Sequence, residues 1–410
     1  MPHGVSVSAE EARRRLAAAV TAVGTETVPL EAAAGRVLAD PLRTAEAWPP
    51  FPRSAMDGYA VRAADTVAAA PEAPVWLALV GQVAIGERPS RPLQPGEALA
   101  IPTGGHLPDG ADAVAVVEHA VVETSAAGAR VGIAQPLSPG RHVVRPGEDL
   151  PPDALLVDGG RRLRPTDVAA LAACGVTSVR VHRRPRVAVV SSGNELCPPD
   201  VAPPPGKVRD VNQHALGAQA AAAGCEVTRA GIVADDPHAL EGALRDLAAG
   251  HDAVIVSGGS SVGTRDHTGA VIAHLATGGL LFHGIAVRPG GPTLAARAGD
   301  ALLVGLPGVP AAALVVFHLF VRPALRRLGG ERGGDTPRPA RLAAAYQSAA
   351  GREDYLRVRL LERDGETWAE PLAGGSSRLA SLIAADALLV VPAEAIEVPA
   401  GTRLAAWPLG

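Results

Sequence analysis

The sequence predicts a multidomain α/β-plus-β fold with a parallel α/β domain between β-rich segments, and three observations carry that expectation. Residues 186–306 hold four apolar runs, "RVAVVSS", "EVTRAGIV", "DAVIVS" and "DALLVGL", with helical stretches such as "NQHALGAQAAAAG" and "PHALEGALRDLAAG" between them. Continuous apolar strands alternating with glycine-closed helices mark a parallel sheet buried on both faces. Residues 75–135 instead show short Val-rich runs between Gly, Pro and Asp clusters, as in "PVWLALVGQVAIG" and "ADAVAVVEHAVVE", the pattern of a small β domain. Beyond the "GGERGGDTPRP" linker, residues 335–410 return to β alternation.

In chain order, Ser8 and Glu11 form a capping-box pattern ahead of a helix over "EARRRLAAAV". Asp40-Pro41 and "AWPPFPRS" end that segment. Residues 140–175 carry strand, turn and helix signals and are expected to rejoin the opening helix. The resulting division is 1–48 with 141–182, 49–140, 183–328 and 335–410. Asp236 before Pro237 reads as a helix N-cap.

Composition excludes several functions. The 410 residues are 47% hydrophobic and 20% charged, with a formal net charge of −4, which argues against duplex nucleic acid as a partner. Lys207 is the only lysine among 38 basic residues. Cys174, Cys197 and Cys225 stand far apart, as buried thiols rather than a disulfide framework or a zinc knuckle. The longest apolar stretch, Ala311 to Val321, is too short to span a bilayer and carries His318. With no apolar signal segment at the N-terminus, no membrane association and a cytoplasmic location are expected.

In an open parallel sheet, ligands bind beyond the carboxyl ends of the strands. Four polar loops are expected there: 191–195, Asp235-Asp236, 257–266 and 306–310. The loop "SGGSSVG" offers backbone N–H groups, unobstructed at Gly258, Gly259 and Gly263, ahead of a helix N-terminus, an arrangement suited to phosphate. It is neither a Walker loop nor G-x-G-x-x-G, and alone it is equally an ordinary strand-to-helix turn. Glu195, Asp235 and Asp266 each follow a strand. Three acids beside a phosphate loop call for a cation, and Mg²⁺ accepts one or two carboxylates together with phosphate oxygens.

Elsewhere Asp57 lies in a Met-Asp-Gly turn, Thr103 in a Gly-rich turn, and Glu148 with Asp149 in "RPGEDL"; each alone is ordinary turn chemistry. His106, His119, His142, His267 and His283 show no zinc spacing, and G-x-S-x-G is absent.

Taken together, "SAMDGYAV", "PTGGHLPDGADAV", "RPGEDL", "SSGNEL", "GKVRDVN", "GIVADD", "SGGSSVGTRDHT", "VRPGGPT", "GLPGVPAAA" and "GREDYLRVRL" resemble the molybdopterin molybdenumtransferase family, which includes the C-terminal domain of gephyrin. The resemblance runs in family order over nearly the whole chain. It implies an elongated homodimer of four-domain subunits, with a MogA-like α/β domain and a C-terminal β-barrel-like domain. In that family, adenylated molybdopterin and molybdate are converted to metal-loaded cofactor and AMP with Mg²⁺, and the molybdopterin adenylyltransferase is a further partner.

Carried over residue by residue, Ser257, Gly258, Gly259, Ser260 and Gly263 match the loop that cradles the nucleotide-phosphate part. Asp235 and Asp266 match the magnesium-associated acids, with Glu195 as the further acid. Asp57, Thr103 and Asp149 match residues reaching across from the partner subunit. Arg288, Pro307 and Pro310 match substrate-binding positions, and Arg352 or Arg357 with Ser376 match groups that bind the oxyanion.

Departures from the family pattern concentrate on that oxyanion. K-P-G-K-P is "RPGGP" here, so Arg288 keeps one charge and Gly291 loses the other; L-P-G-N-P-x-S-A is "LPGVPAAA", with Val309 for Asn and Ala312 for Ser. One reading is a molybdenum-insertion enzyme with an altered oxyanion pocket. The other is a divergent paralogue that binds molybdopterin or its adenylate as a carrier without efficient insertion. Adenylyl transfer is a weaker third, since a separate single domain normally carries it.

Overall fold

The computed structural model describes residues 6–126, 128–258, 267–372 and 378–409. The chain divides into two compact units: Pro41–Asp158 with Pro165–Thr177, and Met1–Asp40 with Gly159–Arg164 and Ser178–Gly410.

In the smaller unit, six strands form one sheet in the order Ala113–Val116, Gly58–Val61, Glu97–Ile101, Val75–Gln82, Gly128–Ile133, Ala120–Ser125. Only the Val75–Gln82 and Glu97–Ile101 pair is parallel. The Val-rich alternation sorts side chains onto two faces: Val61, Ala98, Ala113 and Ala115 join one apolar cluster, while Ala60, Leu99 and Val114 join another. Neighbouring residues therefore serve opposite faces, as period-2 patterning requires.

The larger unit contains the α/β sheet, in the order Glu226–Val233, Arg186–Ser192, Ala253–Ser257, Ala301–Leu306, Leu294–Ala298, Leu280–His283. The first four are parallel, as the apolar runs predict. Two antiparallel strands, absent from the sequence expectation, complete one edge. Both faces are covered. Val187, Val189, Ile255 and Val304 join the cluster that contains Leu16 of the opening helix; Ala188, Val190, Val254, Val256 and Leu303 pack with Leu240 and Leu244 of the Pro237–Gly250 helix.

The opening helix is Ala9–Ala19, and Ser8 Oγ accepts from the Glu11 amide at 3.1 Å. The capping box is only half formed, because the Glu11 carboxylate pairs instead with Arg14 and Arg15. Asp236 caps the next helix as expected, accepting from the Ala239 amide at 2.8 Å. The apolar stretch 311–321 is wholly buried in a helical run made of Pro310–Val316, a π-helical turn Phe317–Val321 and Arg322–Leu328. Pro323 cannot donate to a preceding carbonyl, which accounts for the wider turn just before it.

The C-terminal strands form a closed β-barrel: Glu353–Arg363 pairs with Glu366–Pro371 at one end and Ala387–Val391 at the other, and Arg338–Leu342 with Arg403–Pro408 completes the ring. Val287–Arg288 adds to it in parallel, with Arg288 opposite Asp354. Among the described residues no helix is long and apolar enough to cross a membrane. The three cysteines are free; Cys197 and Cys225 are buried, but Cys174 is only half-buried, just past the end of the helix Pro165–Ala173. Burial pushes the Cys225 thiol up to about 12, so it stays protonated at neutral pH.

Gly258 fixes how closely the strand ends approach. Its φ is +115°, and a Cβ there would lie 2.0 Å from the Ser192 carbonyl oxygen. Gly258→Ala combines left-handed strain with a backbone clash, and is expected to destabilise the larger unit by at least about 3 kcal/mol. Denaturant unfolding checks this; a variant within about 0.5 kcal/mol of the parent contradicts it.

Candidate active site

At the C-terminal ends of the parallel strands, hydroxyl-bearing residues meet a polar turn. Ser191 and Ser257 are partners in adjacent strands, and Ser257 faces Leu306 of the next. Asn212, at the start of the Asn212–Ala222 helix, donates through Nδ2 to Ser257 Oγ at 2.6 Å and to the Gly308 carbonyl at 2.8 Å; Ser257 Oγ donates to Pro307 O at 3.2 Å. Ser257 and Pro307 are thus held together with Gly308. The Asn212 Oδ1 atom is buried and has no hydrogen-bond partner, leaving an acceptor for which burial alone is costly.

Asp210 is buried beside it, but fully engaged. Its Oδ1 accepts from Ser191 Oγ at 2.9 Å and the Gln213 amide at 3.3 Å, and its Oδ2 accepts from Gln213 Nε2 at 3.1 Å. Asp235 is exposed and oriented by two donors, Ser192 Oγ on Oδ1 at 3.0 Å and the Asn194 amide on Oδ2 at 3.1 Å. Glu195 is also exposed, and its carboxylate folds back over Gly193. Gly259, Ser260, Gly263 and Asp266 lie outside the described residues. Among the described residues no group of three His, Cys, Asp or Glu gathers as a metal site.

Pro310 opens the helix that follows, with Val309 at its N-cap position and no side-chain capping bond. Val309 is 42% exposed and its φ and ψ, −69° and 116°, suit a capping residue. Val309→Asn is expected to add about 1 kcal/mol of stability by accepting from a first-turn amide. A thermal melt of the full chain reads the gain, and an unchanged or lowered Tm contradicts it.

Arg288 donates to Asp354 Oδ2 at 2.7 Å, and Arg352 Nε lies 3.3 Å from Asp354 Oδ1. The structure therefore brings Arg288 and Arg352 together around one carboxylate. Arg357 is buried further along the same strand, where burial lowers its guanidinium pKa and its NH1 reaches the Arg378 carbonyl at 3.5 Å. Ser376 lies outside the described residues.

In the smaller unit, Asp57 precedes the strand Gly58–Val61 and Thr103 follows Glu97–Ile101. The antiparallel register Gly58↔Ile101 brings them face to face. Asp57 Oδ1 accepts from the Thr103 amide at 2.7 Å and from Thr103 Oγ1 at 2.9 Å. The amide first, then the hydroxyl, hold the exposed Asp57 carboxyl below its usual value of 3.8. Ser54 is buried behind the turn: its carbonyl accepts from the Gly104 amide and its amide donates to Gly105 O, which ties the two loops together. Asp149 is exposed in the turn where Glu148 accepts from the Arg145 amide at 2.8 Å.

Asp210, Asn212 and Gln213 were not assigned roles from sequence. A polar D-x-N-Q run directly ahead of an alanine-rich helix was the available signal. Asp354 likewise lies within "GREDYLRVRL" with no local spacing that marks it.

Comparison with known proteins gives three consecutive family matches: the MoeA N-terminal region (domain I and II) over residues 7–175, a probable molybdopterin binding domain over 188–327, and the MoeA C-terminal region (domain IV) over 339–409. The chain is 34% identical over 407 residues to Molybdopterin molybdenumtransferase 2 of Mycobacterium tuberculosis, covering 98% of this chain and 99% of that protein. It belongs to the molybdopterin molybdenumtransferase family. A family member from Nostoc sp., named molybdopterin molybdenumtransferase, is 37% identical over 378 residues, 90% of this chain and 85% of its own. Two crystal structures of the molybdopterin biosynthesis MoeA protein from Pyrococcus horikoshii give TM-scores of 0.83 and 0.85 at 35% and 28% identity, covering 99% and 98% of this chain and 99% and 100% of theirs. The family fold, with its α/β domain and C-terminal barrel, is the fold of this chain.

Proposed function

We propose that this chain inserts molybdenum into adenylated molybdopterin and releases AMP, a step of molybdenum cofactor biosynthesis. The observation that carries the reading is the near-full-length identity to proteins named molybdopterin molybdenumtransferase, at 34% over 407 residues and 37% over 378. Local geometry supports it. Strand ends that present Ser191, Ser192, Ser257 and Gly258, with a buried unpartnered Asn212 Oδ1, suit a polar ligand rich in donors and acceptors, such as a pterin carrying phosphate.

The donor set at the strand ends fits Mg²⁺, since Asp235 is an exposed carboxylate aimed by two hydrogen bonds and Glu195 is a second exposed acid, directly after the Asn194 whose amide donates to Asp235. Asp235, Asp266 and Glu195 would hold the ion, which when bound neutralises phosphate charge. Ser257, Gly258, Gly259, Ser260 and Gly263 bind the nucleotide-phosphate part, with Pro307 and Pro310 shaping the opposite loop. Arg288 and Arg352, with Arg357 and Ser376, bind the molybdate oxyanion. Asp57, Thr103 and Asp149 act from the partner subunit of a homodimer; the adenylyltransferase that makes the adenylate is a partner, and the reaction is cytoplasmic. The division into 1–48 with 141–182, 49–140, 183–328 and 335–410 belongs to the same reading.

The test is AMP release from adenylated molybdopterin by the full chain, with and without molybdate. Molybdate-dependent AMP release supports insertion. Tight adenylate binding without AMP release at any molybdate concentration would falsify it and favour a carrier.

A further inference from the structure

Asp354 is the most completely buried charge in the C-terminal barrel, with its side chain 1% exposed. A carboxylate out of water is costly unless its lone pairs are filled. Three donors crowd Oδ2: Arg288 at 2.7 Å, Ser348 Oγ at 2.9 Å and the Tyr346 hydroxyl at 3.0 Å. Arg288 also reaches the Tyr346 hydroxyl. Oδ1 faces Arg352 Nε at 3.3 Å without a hydrogen bond, and both of those buried atoms are otherwise unpartnered.

This is not the arrangement of a simple structural ion pair. Two guanidinium groups share one carboxylate, which leaves one positive charge in surplus. The two arginine side chains are 43% and 37% exposed while the carboxylate is sealed, so an anion arriving from solvent meets the cations and not Asp354. The geometry is also anchored in the backbone. Arg288 and Asp354 are register partners in parallel strands, and the Glu353 amide donates to Ala286 O at 2.9 Å. Burial first, then the Asp354 charge, push the Tyr346 hydroxyl upward in pKa, so it remains a donor.

We propose that Asp354 is a positioning residue that fixes Arg288 and Arg352 as a two-guanidinium clamp for a tetrahedral oxyanion, compensating for the lysine lost at Gly291. The inference rests on the molybdate-insertion reading for the identity of the anion. Planar guanidinium forks can each give two hydrogen bonds to such an anion, but only if their orientation is set beforehand. Asp354 sets it without touching substrate.

Positioning and simple charge predict opposite outcomes for Asp354→Asn. Removing a negative charge beside two arginines tightens anion binding if only Coulomb attraction matters. If orientation matters, molybdate binding weakens. The experiment measures molybdate binding to the full-length protein by equilibrium dialysis, alongside the half-saturating molybdate concentration and the limiting rate of AMP release. The expected result for Asp354→Asn is binding weaker by about tenfold, with a matching rise in half-saturation and a limiting rate within about threefold of the parent. Asp354→Glu, which keeps the charge, recovers part of the loss. Unchanged or tighter binding in a folded Asp354→Asn overturns the proposal, as does a parent protein that binds no molybdate. Should Asp354→Asn not fold, Tyr346→Phe decides, since it removes one donor to Asp354 and no charge: weaker molybdate binding at unchanged Tm supports the clamp, and parental binding overturns it. Dialysis does not depend on turnover, so failure of AMP release with molybdate still bound rejects the insertion reading and leaves the clamp standing.

Discussion

Asp57→Ala is expected to lower AMP release by at least about a hundredfold while leaving the melting temperature of the chain nearly unchanged. Asp57 is exposed, and its two hydrogen bonds come from Thr103, both ending on Oδ1. No core packing depends on it, whereas removal of a charged group that contacts substrate commonly costs two or more orders of magnitude in rate. Asp57→Asn separates the two contributions. It keeps an oxygen that can accept from the Thr103 amide, so the loop geometry survives and only the charge is lost. A rate for Asp57→Asn close to that of Asp57→Ala assigns the effect to charge; near-parental activity assigns it to loop geometry. Parallel loss of Tm and rate in both variants, or full activity in Asp57→Ala, removes Asp57 from the chemistry.

The pH dependence follows from the direction of the shift. Thr103 stabilises the ionised form, so the folded pKa lies below the unfolded value of 3.8. The favourable contribution is present above the unfolded value and is lost as pH falls through the folded one. Asp57 therefore contributes no acidic limb near neutrality, and a rate profile with a group titrating at pH 5 to 6 belongs to another residue.

The pairing of Asp57 with Thr103 also marks where sequence legibility ends. Each turn was identifiable by itself, but their contact depends on the register Gly58↔Ile101, fixed by residues 43 positions apart. Three of the four parallel strands, Arg186–Ser192, Ala253–Ser257 and Ala301–Leu306, were legible because burial on both faces leaves a nearly continuous apolar run, whereas Glu226–Val233 lies at the sheet edge, only partly buried, and is marked as a strand by its β-branched residues. The antiparallel strands Leu280–His283 and Leu294–Ala298 were not, because Gly278, Gly279, Gly284, Gly290 and Gly291 surround them and the strands are short. Local capping at Asp236 was readable since donor and acceptor are three residues apart. Asp354 was unreadable for the opposite reason: a charged residue in a strand is exposed by default, and its partners come from 8 residues away at Tyr346 and 66 away at Arg288.

Gly291→Lys combined with Ala312→Ser is expected to lower the molybdate concentration required for AMP release by at least about tenfold. Gly290 must remain glycine: its φ is +105° and a Cβ would lie 2.0 Å from Val316 Cγ2. Gly291 is different, since its φ is outside the left-handed region and a Cβ would meet only Val287 O at 3.5 Å and Ile285 O at 3.6 Å, ordinary contacts. A lysine can therefore enter without backbone strain. The Gly290 Cβ position is also 3.7 Å from Ala312 O, which sets the Gly290-Gly291 turn against the first turn of the helix at Pro310 and makes the two departures spatial neighbours. An ammonium contributes a charge-assisted hydrogen bond of about 1.5–3 kcal/mol, or roughly 10- to 150-fold, and a hydroxyl about 1 kcal/mol, so the lysine carries most of the gain. Ala312 is only 5% exposed, and a serine there can satisfy itself on the carbonyl one turn back, which limits its cost and its benefit. If Arg288 and Arg352 already hold the oxyanion through Asp354, the lysine adds to an existing site in the parent but replaces a damaged one in Asp354→Asn. Its gain is then larger in the Asp354→Asn background, a coupling that a double-mutant cycle measures directly. Equal gains in both backgrounds make the lysine and the clamp independent; a stable double variant with parental molybdate dependence shows that neither departure limits oxyanion binding.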